Sequence, residues 1–407
     1  MESILIDDFG PLPVRRPTSV AELCGLVKEA TAGGQGLYPV GGRTTLDVGL
    51  PPIKPGFALD TTALNQVIDY PARDMTITVQ AGITMAKLQA TLAAEGQWLP
   101  IDVPNPEQST IGGAVALNKS GPRRYGYGTL RDYVIGISFA TDEGNEVKAG
   151  GRVVKNVAGY DLMKLQVGAV GTLGVVTQLT LKVKPKPEAP VFLTFDCEMD
   201  NLARVLDTVH ASKSRACAVE IVTNAKEPGR KFWWVGFGFE EKKTTVDWQK
   251  ATILKELSEA GVKQVGEFTG PEGMGLVNEF YGFFPTGDIA PFVWKACLLP
   301  SRTASFCNAA ALIRARMQVV SHALNGIVSG SLSDDLTNGD ATTMVSRLAD
   351  LAASGGGSLT IVRCPTAWKK SLPVWGKPGS DRELMRHVKQ TLDPKNVFNP
   401  GRLFGDV

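Results

Sequence analysis

The residues with the clearest chemical potential lie in a glycine-rich loop that follows an apolar run. The loop consists of Val40, Gly41, Gly42, Arg43, Thr44 and Thr45. Consecutive glycines allow successive backbone N–H groups to converge on one point, which makes a concave site for an anion. The threonine hydroxyls add donors, and the arginine either neutralises a phosphate or faces solvent. A simple turn after a strand explains the same residues, and no Gly-Lys-Ser/Thr ending indicates a P-loop.

A second glycine-rich segment follows Pro104. Ser109 and Thr110 precede Gly112 and Gly113, where a helix of small residues is predicted to start. Because a helix N-terminus offers unpaired N–H groups and a favourable dipole end, the segment predicts a phosphate contact. The alternative is a capped helix that packs tightly on a sheet.

A third segment comprises residues 155–161 and continues through Gly168 to Gly171, Gly174, Val175 and Val176. Glycines just before a strand allow its backbone groups to face a base edge or the pyrimidine side of a flavin, although a β-turn with a bulge has the same signature. Three such loops in one domain favour a long polyanionic ligand held along its length. A dinucleotide such as FAD fits that description.

Two arginines and two tyrosines lie between the second and third segments, after Gly121. Arg123 and Arg124, with Tyr125 and Tyr127, could clamp a carboxylate or a phosphate. Adjacent arginines are also common in solvated surfaces and interface patches.

Composition excludes several classes of protein. The chain has 407 residues, a net charge of +2 and 43% hydrophobic residues, as in ordinary globular proteins of two or three domains. The small net charge argues against nucleic acid, and no apolar run reaches transmembrane length. The acidic N-terminus is not a signal peptide, so we expect a cytoplasmic protein. The six cysteines form no Cys-x-x-Cys pair, and the three histidines are far apart, so we expect no metal site.

The helices and strands that position these loops are predicted from hydrophobic periodicity and from the capping, glycine and proline residues at their ends. Ser19 and Glu22 predict the capped start of a helix that ends at Gly33. Alternating strands and helices continue to a proline-rich boundary at residues 185–187, which gives a first domain at residues 1–186. Residues 187–380 then show two rounds of strand–helix–strand–strand–helix–strand, which predicts a ferredoxin-like doubling. The tail, residues 381–407, is predicted to dock back on the first domain.

With these motifs, the first half resembles the FAD-binding domain of the vanillyl-alcohol oxidase and p-cresol methylhydroxylase type. The resemblance rests on the Gly-Gly loop, on residues 109–113, on residues 159–162, on residues 171–175, and on Asn399-Pro-Gly401 near the end. Residues 121–124 and 155–162 are most similar to the FAD-binding subunits of glycolate oxidase (glycolate dehydrogenase) complexes. The resemblance implies an α+β fold: a two-subdomain FAD-binding domain of the p-cresol methylhydroxylase type with an α+β cap.

The same resemblance implies cofactor, partners and chemistry. It implies an FAD-dependent oxidoreductase subunit that assembles with a catalytic FAD subunit and an iron–sulfur subunit to oxidise a 2-hydroxy acid, with possible peripheral attachment at the inner membrane face through the complex. Some relatives bind FAD covalently through a histidine near the first loop; no histidine occurs in the first half here, so we expect non-covalent FAD.

The residues leave the catalytic role of this chain open. Related 2-hydroxyacid dehydrogenases carry paired histidines and an acidic residue, and this chain has no His-x-His. We therefore expect chemistry mainly on the partner subunit. A self-sufficient FAD-dependent dehydrogenase and a non-catalytic assembly subunit are the alternatives.

Overall fold

The computed structural model describes residues 2–151, 161–223, 232–270, 290–314, 316–333 and 336–404. Residues 155–160 of the third glycine-rich segment lie outside this set. The chain divides into two compact units. Unit 1 comprises Met1–Ser120, Thr129–Lys186 and Pro378–Val407, and unit 2 comprises Gly121–Gly128 and Pro187–Lys377. The chain passes from unit 1 to unit 2 after Lys186, and residues 121–128 also belong to unit 2.

Strands and helices alternate in the first part of the chain. The strands are β1 (Ser3–Ile6), β2 (Phe9–Arg15), β3 (Gly36–Val40), β4 (Gly56–Asp60), β5 (Val67–Asp69), β6 (Thr76–Gln80), β7 (Gln97–Trp98), β8 (Val134–Ala140), β9 (Glu146–Gly150), β10 (Val175–Lys182) and β11 (Lys184–Pro185). The helices are α1 (Val20–Ala32), α2 (Met85–Ala93), α3 (Ile111–Ala116), α4 (Arg124–Tyr127), α5 (Leu130–Tyr133) and α6 (Met163–Gln166).

The second part continues with longer strands. These are β12 (Ala189–Glu198), β13 (Ala218–Thr223), β14 (Phe232–Glu241), β15 (Lys263–Thr269), β16 (Phe292–Cys297), β17 (Gln318–His322), β18 (Ile327–Leu332) and β19 (Ser358–Arg363). The helices are α7 (Leu202–Ala211), α8 (Lys243–Glu259), α9 (Thr303–Ala311), α10 (Asn338–Ser354) and α11 (Asp381–Leu392). In the described residues no helix is long and apolar enough to cross a membrane.

Unit 1 contains a four-stranded and a five-stranded sheet. The first has the order β1-β2-β4-β3, with β3 and β4 parallel, and the second has the order β5-β6-β10-β8-β9. The parallel register pairs Val40 with Asp60, so the ends of β3 and β4 meet at one edge. Helix α1 begins as predicted, because the Ser19 hydroxyl accepts a hydrogen bond from the Glu22 amide, and its buried Leu23 and Val27 join the core.

The C-terminal tail belongs to unit 1. Phe398 is fully buried in the same core as Leu37, and the two segments pair as a short bridge. The amide of Leu37 donates to the carbonyl of Val397 at 2.7 Å, and the amide of Asn399 donates to the carbonyl of Leu37 at 2.9 Å. These bonds extend the β3 edge with the last residues of the chain.

Unit 2 is built on one eight-stranded sheet with the order β15-β12-β14-β13-β17-β18-β16-β19. Every pairing in it is antiparallel, and β13 pairs with β17 at the centre. The order of elements is β-α-β-β-α-β from β12 to β15 and again from β16 to β19. We call the face that packs against α7, α8, α9 and α10 the first face, because alternate residues of the strands share one large core with those helices.

The other side, which we call the second face, carries a smaller core. Phe192, Ala218, Val222 and Val320 form its apolar part. Because side chains alternate along a strand, the remaining residues of the same parity lie on this face.

Candidate functional site

A pocket in unit 1 collects residues from several of the segments singled out by sequence. Its space is about 710 Å³, including the open solvent at its mouth. Its lining includes six residues of the first loop, Val40, Gly41, Gly42, Arg43, Thr44 and Thr45. Three residues of the second segment, Ser109, Thr110 and Gly113, line it as well. Nine of the sixteen residues selected from sequence therefore meet at one pocket.

The first loop leaves β3 with an unusual backbone. Arg43 has a φ of +58°, a left-handed conformation that is uncommon for a residue with a side chain. Among the described residues, no hydrogen-bond partner occurs for the backbone amides of residues 41–45. Successive unpaired N–H groups around a left-handed residue form the concave anion site known as a nest. The loop therefore has the donor set that a phosphate requires.

The glycines of this loop are needed for contact with the second segment. A Cβ on Gly41 would lie 2.2 Å from Thr110 Oγ1, and a Cβ on Gly42 would lie 1.7 Å from the carbonyl oxygen of Gln108. The hydroxyls of Thr44 and Ser109 are 3.2 Å apart and share a hydrogen bond. The two segments thus form one rigid wall of the pocket, which only residues without a side chain allow.

The side chain of Arg43 binds two carboxylates of the protein itself. Its guanidinium donates to Glu2 at 2.7 Å and to Asp60 at 3.1 Å. Burial would raise the pKa of Asp60, but hydrogen bonds from Thr62 and Arg16 hold that pKa below its ordinary value. Asp60 therefore stays ionised and holds Arg43, so the structure favours a role for this arginine in fixing the loop.

The second segment differs from the helix terminus that its sequence predicts. The amides of Ile111 and Gly112 donate to the carbonyls of Ile83 and Ala81 at 3.0 and 2.8 Å. Thr110 caps α3 by accepting from the Gly113 amide at 3.3 Å. The amides of Ile111 and Gly112 are therefore used within the protein, whereas the phosphate contact of Ser109, Thr110 and Gly113 stays a prediction.

Gly112 and Pro104 have structural roles in this segment. Gly112 is absent from the pocket lining, and a Cβ there would lie 2.8 Å from Ala81. Pro104 is also absent from the lining, and its carbonyl accepts a hydrogen bond from the Ser109 hydroxyl at 2.6 Å.

Among the described residues of the third segment, Val170 lines the pocket. Gly171 and Gly174 have φ values of +65° and +152°, and both are outside the lining. Val175 and Val176 pair with Ala140 and Phe139 in the five-stranded sheet. A cofactor contact of these residues stays a prediction. Gly121 lies in unit 2 and is likewise outside the pocket lining.

Two residues of the tail line the pocket, although they were not among the candidates from sequence. The side-chain amide of Asn399 donates to the Val170 carbonyl at 2.7 Å. Arg402 is 4% exposed and donates to Asp7 at 2.5 Å and to the Leu50 carbonyl at 2.8 Å. The Asn399-Pro-Gly401 motif could have indicated this part of the pocket, because asparagine, proline and glycine together predict a turn. In the structure Asn399 is left-handed, with a φ of +45°.

A buried lysine anchors the tail. Lys389 of α11 donates to the carbonyls of Thr172 and Phe398 at 3.0 and 2.9 Å and forms an ion pair with Asp393. Burial lowers the pKa of Lys389, and the charge of Asp393 opposes that effect. Asp393 also accepts from the amides of Val397 and Phe398, so one network fixes the path of the tail.

The sequence suggested that the paired arginines after Gly121 could clamp an anionic ligand. In the structure the first of them contacts a carboxylate of the protein. Arg123 forms an ion pair with Glu240 at 2.7 Å, and the Tyr127 hydroxyl donates to the Glu240 backbone carbonyl at 3.2 Å. Burial raises the pKa of Tyr127 far above its ordinary value, so the phenol stays protonated. Both contacts lie within unit 2.

Unit 2 also brings together two residues that the sequence separates. Glu220 and His322 are directly opposite in the β13–β17 pair, and His322 Nδ1 is 2.9 Å from both carboxylate oxygens. Because the two residues are 102 positions apart, the sequence analysis, which considered histidines close in the chain, did not find this pair. Within the described residues, no group of three or more His, Cys, Asp or Glu side chains could hold a metal ion.

Comparison with known proteins gives two family matches. Residues 11–150 match the family described as FAD binding domain, and residues 376–403 match the C-terminal domain of FAD linked oxidases. The two matched ranges cover less than half of the chain, and they support an FAD-dependent oxidoreductase. The cofactor is FAD, as the sequence predicts.

The chain is similar to several curated proteins. It is 40% identical over 139 residues to glycolate oxidase subunit GlcE of Escherichia coli, covering 34% of this chain and 40% of that protein. It is 25% identical over 396 residues to glycolate oxidase subunit GlcD of Bacillus subtilis, covering 90% and 83%. It is 34% identical over 192 residues to a D-lactate dehydrogenase of Anaerostipes hadrus, covering 47% and 40%. The matches thus span less than half of two of these relatives.

The fold is similar to that of a solved structure. An alkyldihydroxyacetonephosphate synthase matches with a TM-score of 0.71 at 18% identity, covering 95% of this chain and 75% of that one. The likeness concerns the fold alone. The residues of the unit 1 pocket fit a diphosphate-linked cofactor, because the first loop lines it with unpaired amides around the left-handed Arg43.

Proposed function

We propose that FAD binds non-covalently in the pocket of unit 1, with its diphosphate against the amides of residues 41–45. The unpaired amides around the left-handed Arg43 carry this proposal. Charge-assisted hydrogen bonds from backbone N–H groups are among the stronger hydrogen bonds in proteins. The described lining contains no histidine, cysteine or tyrosine, and this supports a non-covalent cofactor.

We further propose that the chain is the FAD-binding subunit of a complex that oxidises a 2-hydroxy acid such as glycolate. The similarity to two glycolate oxidase subunits and to a D-lactate dehydrogenase supports this class of substrate. FAD, when bound, supplies the acceptor for the hydride equivalent. A catalytic FAD subunit and an iron–sulfur subunit are the proposed partners, and the iron–sulfur subunit receives the electrons. Unit 2 is the proposed cap, and its repeated β-α-β-β-α-β order supports a ferredoxin-like doubling.

Purification from native cells tests both proposals. The expected result is a yellow complex with flavin, iron and two further subunits, which reduces a dye when glycolate is added. The chain purified alone is expected to keep FAD and to reduce little dye. A colourless preparation of the folded chain would contradict the cofactor proposal, and full glycolate-dependent activity without partners would contradict the assignment of chemistry to the partner.

A self-sufficient dehydrogenase is the second candidate, and one observation favours it. The buried Glu220 carboxylate and the His322 ring form the type of pair that orients an imidazole for proton transfer. Reduction of the flavin of the isolated chain by a hydroxy acid, recorded as bleaching of its absorbance under anaerobic conditions, would establish this candidate.

A further inference from the structure

The hairpin of β1 and β2 contributes to the wall of the unit 1 pocket. Ile6, the last residue of β1, lines the pocket together with residues of the first loop and the tail. Asp7 and Asp8 follow as a two-residue turn, and their φ values of +50° and +60° are those of the type I′ turn that suits a hairpin. The match to the FAD binding domain begins at residue 11, so β1 and this turn lie outside it. That match therefore assigns no role to these residues.

The pocket is narrow where the hairpin meets it. Ile6 is only 3% exposed although its side chain lines the pocket, whereas a side chain on a wide cavity would be accessible to water. It packs in a small core with Leu12, Tyr38 and Val40, and Val40 begins the first loop. A dinucleotide that reaches the first loop therefore either contacts Ile6 or displaces it.

One ion pair holds β1 on the first loop. Glu2, just before β1, accepts from Arg43 at 2.7 Å, and Arg16 contacts the same carboxylate at 3.4 Å. The side chains of Glu2 and Arg43 are 49% and 31% exposed, so salt screens their attraction. Glu2 therefore joins the hairpin to the loop proposed to bind the diphosphate, through a contact that is weaker in high salt.

A second ion pair holds the turn of the hairpin on the tail. Asp7 accepts from Arg402 at 2.5 Å, and only 2% and 5% of the two side chains are exposed. Salt screens a buried pair much less than an exposed one. Arg402 itself lines the pocket and also donates to the Leu50 carbonyl. Asp7 therefore ties the hairpin to a guanidinium that forms part of the pocket.

Of these three walls, the hairpin has the weakest attachment. The first loop and the second segment interlock through close backbone contacts at Gly41 and Gly42, and the tail is fixed by the buried network of Lys389. Strand β1 has four residues and, among the described strands, pairs with β2 alone. Short elements with few buried contacts open at lower free energy than core elements. The hairpin can therefore leave the pocket while the other two walls stay in place.

We propose that the β1–β2 hairpin is the gate of the cofactor pocket. It opens for FAD to enter and leave, and in the closed state Ile6 contacts the bound cofactor. Glu2 and Asp7 are the positioning residues that hold the hairpin closed. The proposal rests on the proposed position of FAD in unit 1 and extends it, because it gives cofactor exchange a route and a rate control.

The rates of FAD exchange in the full chain test this gate. Stopped-flow fluorescence measures association of FAD with the apoprotein, and dilution of the FAD-loaded chain measures dissociation. Weaker closure speeds both rates, because the open state is then more populated with and without FAD. Asp7→Asn is expected to raise both rates at least about tenfold, because it leaves a buried guanidinium without its anion. Glu2→Gln is expected to raise both about threefold in low salt and to match wild type in high salt.

Asp8→Asn is the matched control. Asp8 is the exposed neighbour in the same turn, it has no ion pair among the described residues, and asparagine tolerates its left-handed backbone. This variant is expected to exchange FAD at wild-type rates. Wild-type rates in Asp7→Asn would overturn the gate, and so would faster dissociation with unchanged association. An apoprotein that binds no FAD would instead contradict the proposed cofactor pocket, so the two failures are distinct. Melting temperatures show that each variant is folded.

Hydrogen exchange provides a second measurement, which needs no substitution. In the apoprotein the amides of β1 are expected to exchange at least about tenfold faster than those of β3, which pairs with β4 on one edge and with the tail on the other. Binding of FAD is expected to slow exchange in β1. Equal protection of β1 and β3 in the apoprotein, or no effect of bound FAD on β1, would overturn the gate.

Discussion

Substitution of Gly42 by alanine is the sharpest test of the first loop. The added Cβ would lie 1.7 Å from the Gln108 carbonyl oxygen, and real Cβ atoms essentially never approach within 3.0 Å. The two segments must therefore separate by about 1.3 Å, because both atoms in conflict are fixed to backbone. A shift of that size lengthens a hydrogen bond of about 2.9 Å beyond its useful range. With about 1.5–3 kcal/mol for each bond to a charged group, loss of one or two bonds weakens FAD binding roughly 10- to 20,000-fold.

Fluorescence titration of the apoprotein with FAD measures this loss directly. Gly25→Ala is the matched control, because a Cβ at that helical glycine has no atom within 4 Å, and it should bind FAD as wild type does. Thr44→Val provides a milder change, since it removes only the hydrogen bond to Ser109. Wild-type FAD affinity and stability in Gly42→Ala would refute the proposed contact between these segments.

Three further outcomes are expected. Gly112→Ala should lower the free energy of unfolding by about 1–3 kcal/mol through its contact with Ala81, while folded protein keeps its FAD affinity; loss of affinity without loss of stability in denaturant titrations would restore a direct cofactor role. Asp60→Asn should remove a stabilisation that wild type has above pH 4 and loses as pH falls through the lowered pKa of Asp60, so its acid unfolding profile should be flatter. Lys389→Met should cost about 3–5 kcal/mol, because Asp393 stays buried without its cation; an unchanged melting temperature would contradict this.

Local signals in the sequence were sufficient for the first loop. Two adjacent glycines after an apolar strand require a close approach of backbone, and the structure shows Gly41 and Gly42 against the second segment. The start of α1 and the repeated order of elements in unit 2 follow from capping and periodicity in the same way. Each of these features depends on residues that are near neighbours in the chain.

The glycines of the other two segments show what local patterns leave undecided. Gly112 contacts Ala81, and Gly174 precedes a strand that pairs with β8, so each is required for packing. A glycine in the sequence predicts that another group comes close to the backbone at that position. It does not predict whether that group belongs to the protein or to a ligand. A phosphate and a neighbouring backbone impose the same requirement, and only the tertiary contact distinguishes them.

Residue pairs across the sheet could not be predicted from the sequence for a different reason. Glu220 and His322 are 102 residues apart and meet only because β13 pairs with β17, the junction of the two repeated halves. A search for histidines close in sequence cannot find such a pair. The same holds for Asn399 and Arg402, which reach the pocket through the pairing of the tail with β3.

The pocket of unit 1 couples the cofactor to the end of the chain. Its first wall follows β3, and its other contributors include Asn399 and Arg402, more than 350 residues later. A ligand that binds only when these segments are together stabilises their association by RT ln(1 + [L]/Kd). At 100 times Kd this is about 2.7 kcal/mol, close to the expected cost of losing Lys389. Excess FAD should therefore recover much of the stability of Lys389→Met, and it should recover little in Gly42→Ala, where the contact with the cofactor itself is altered.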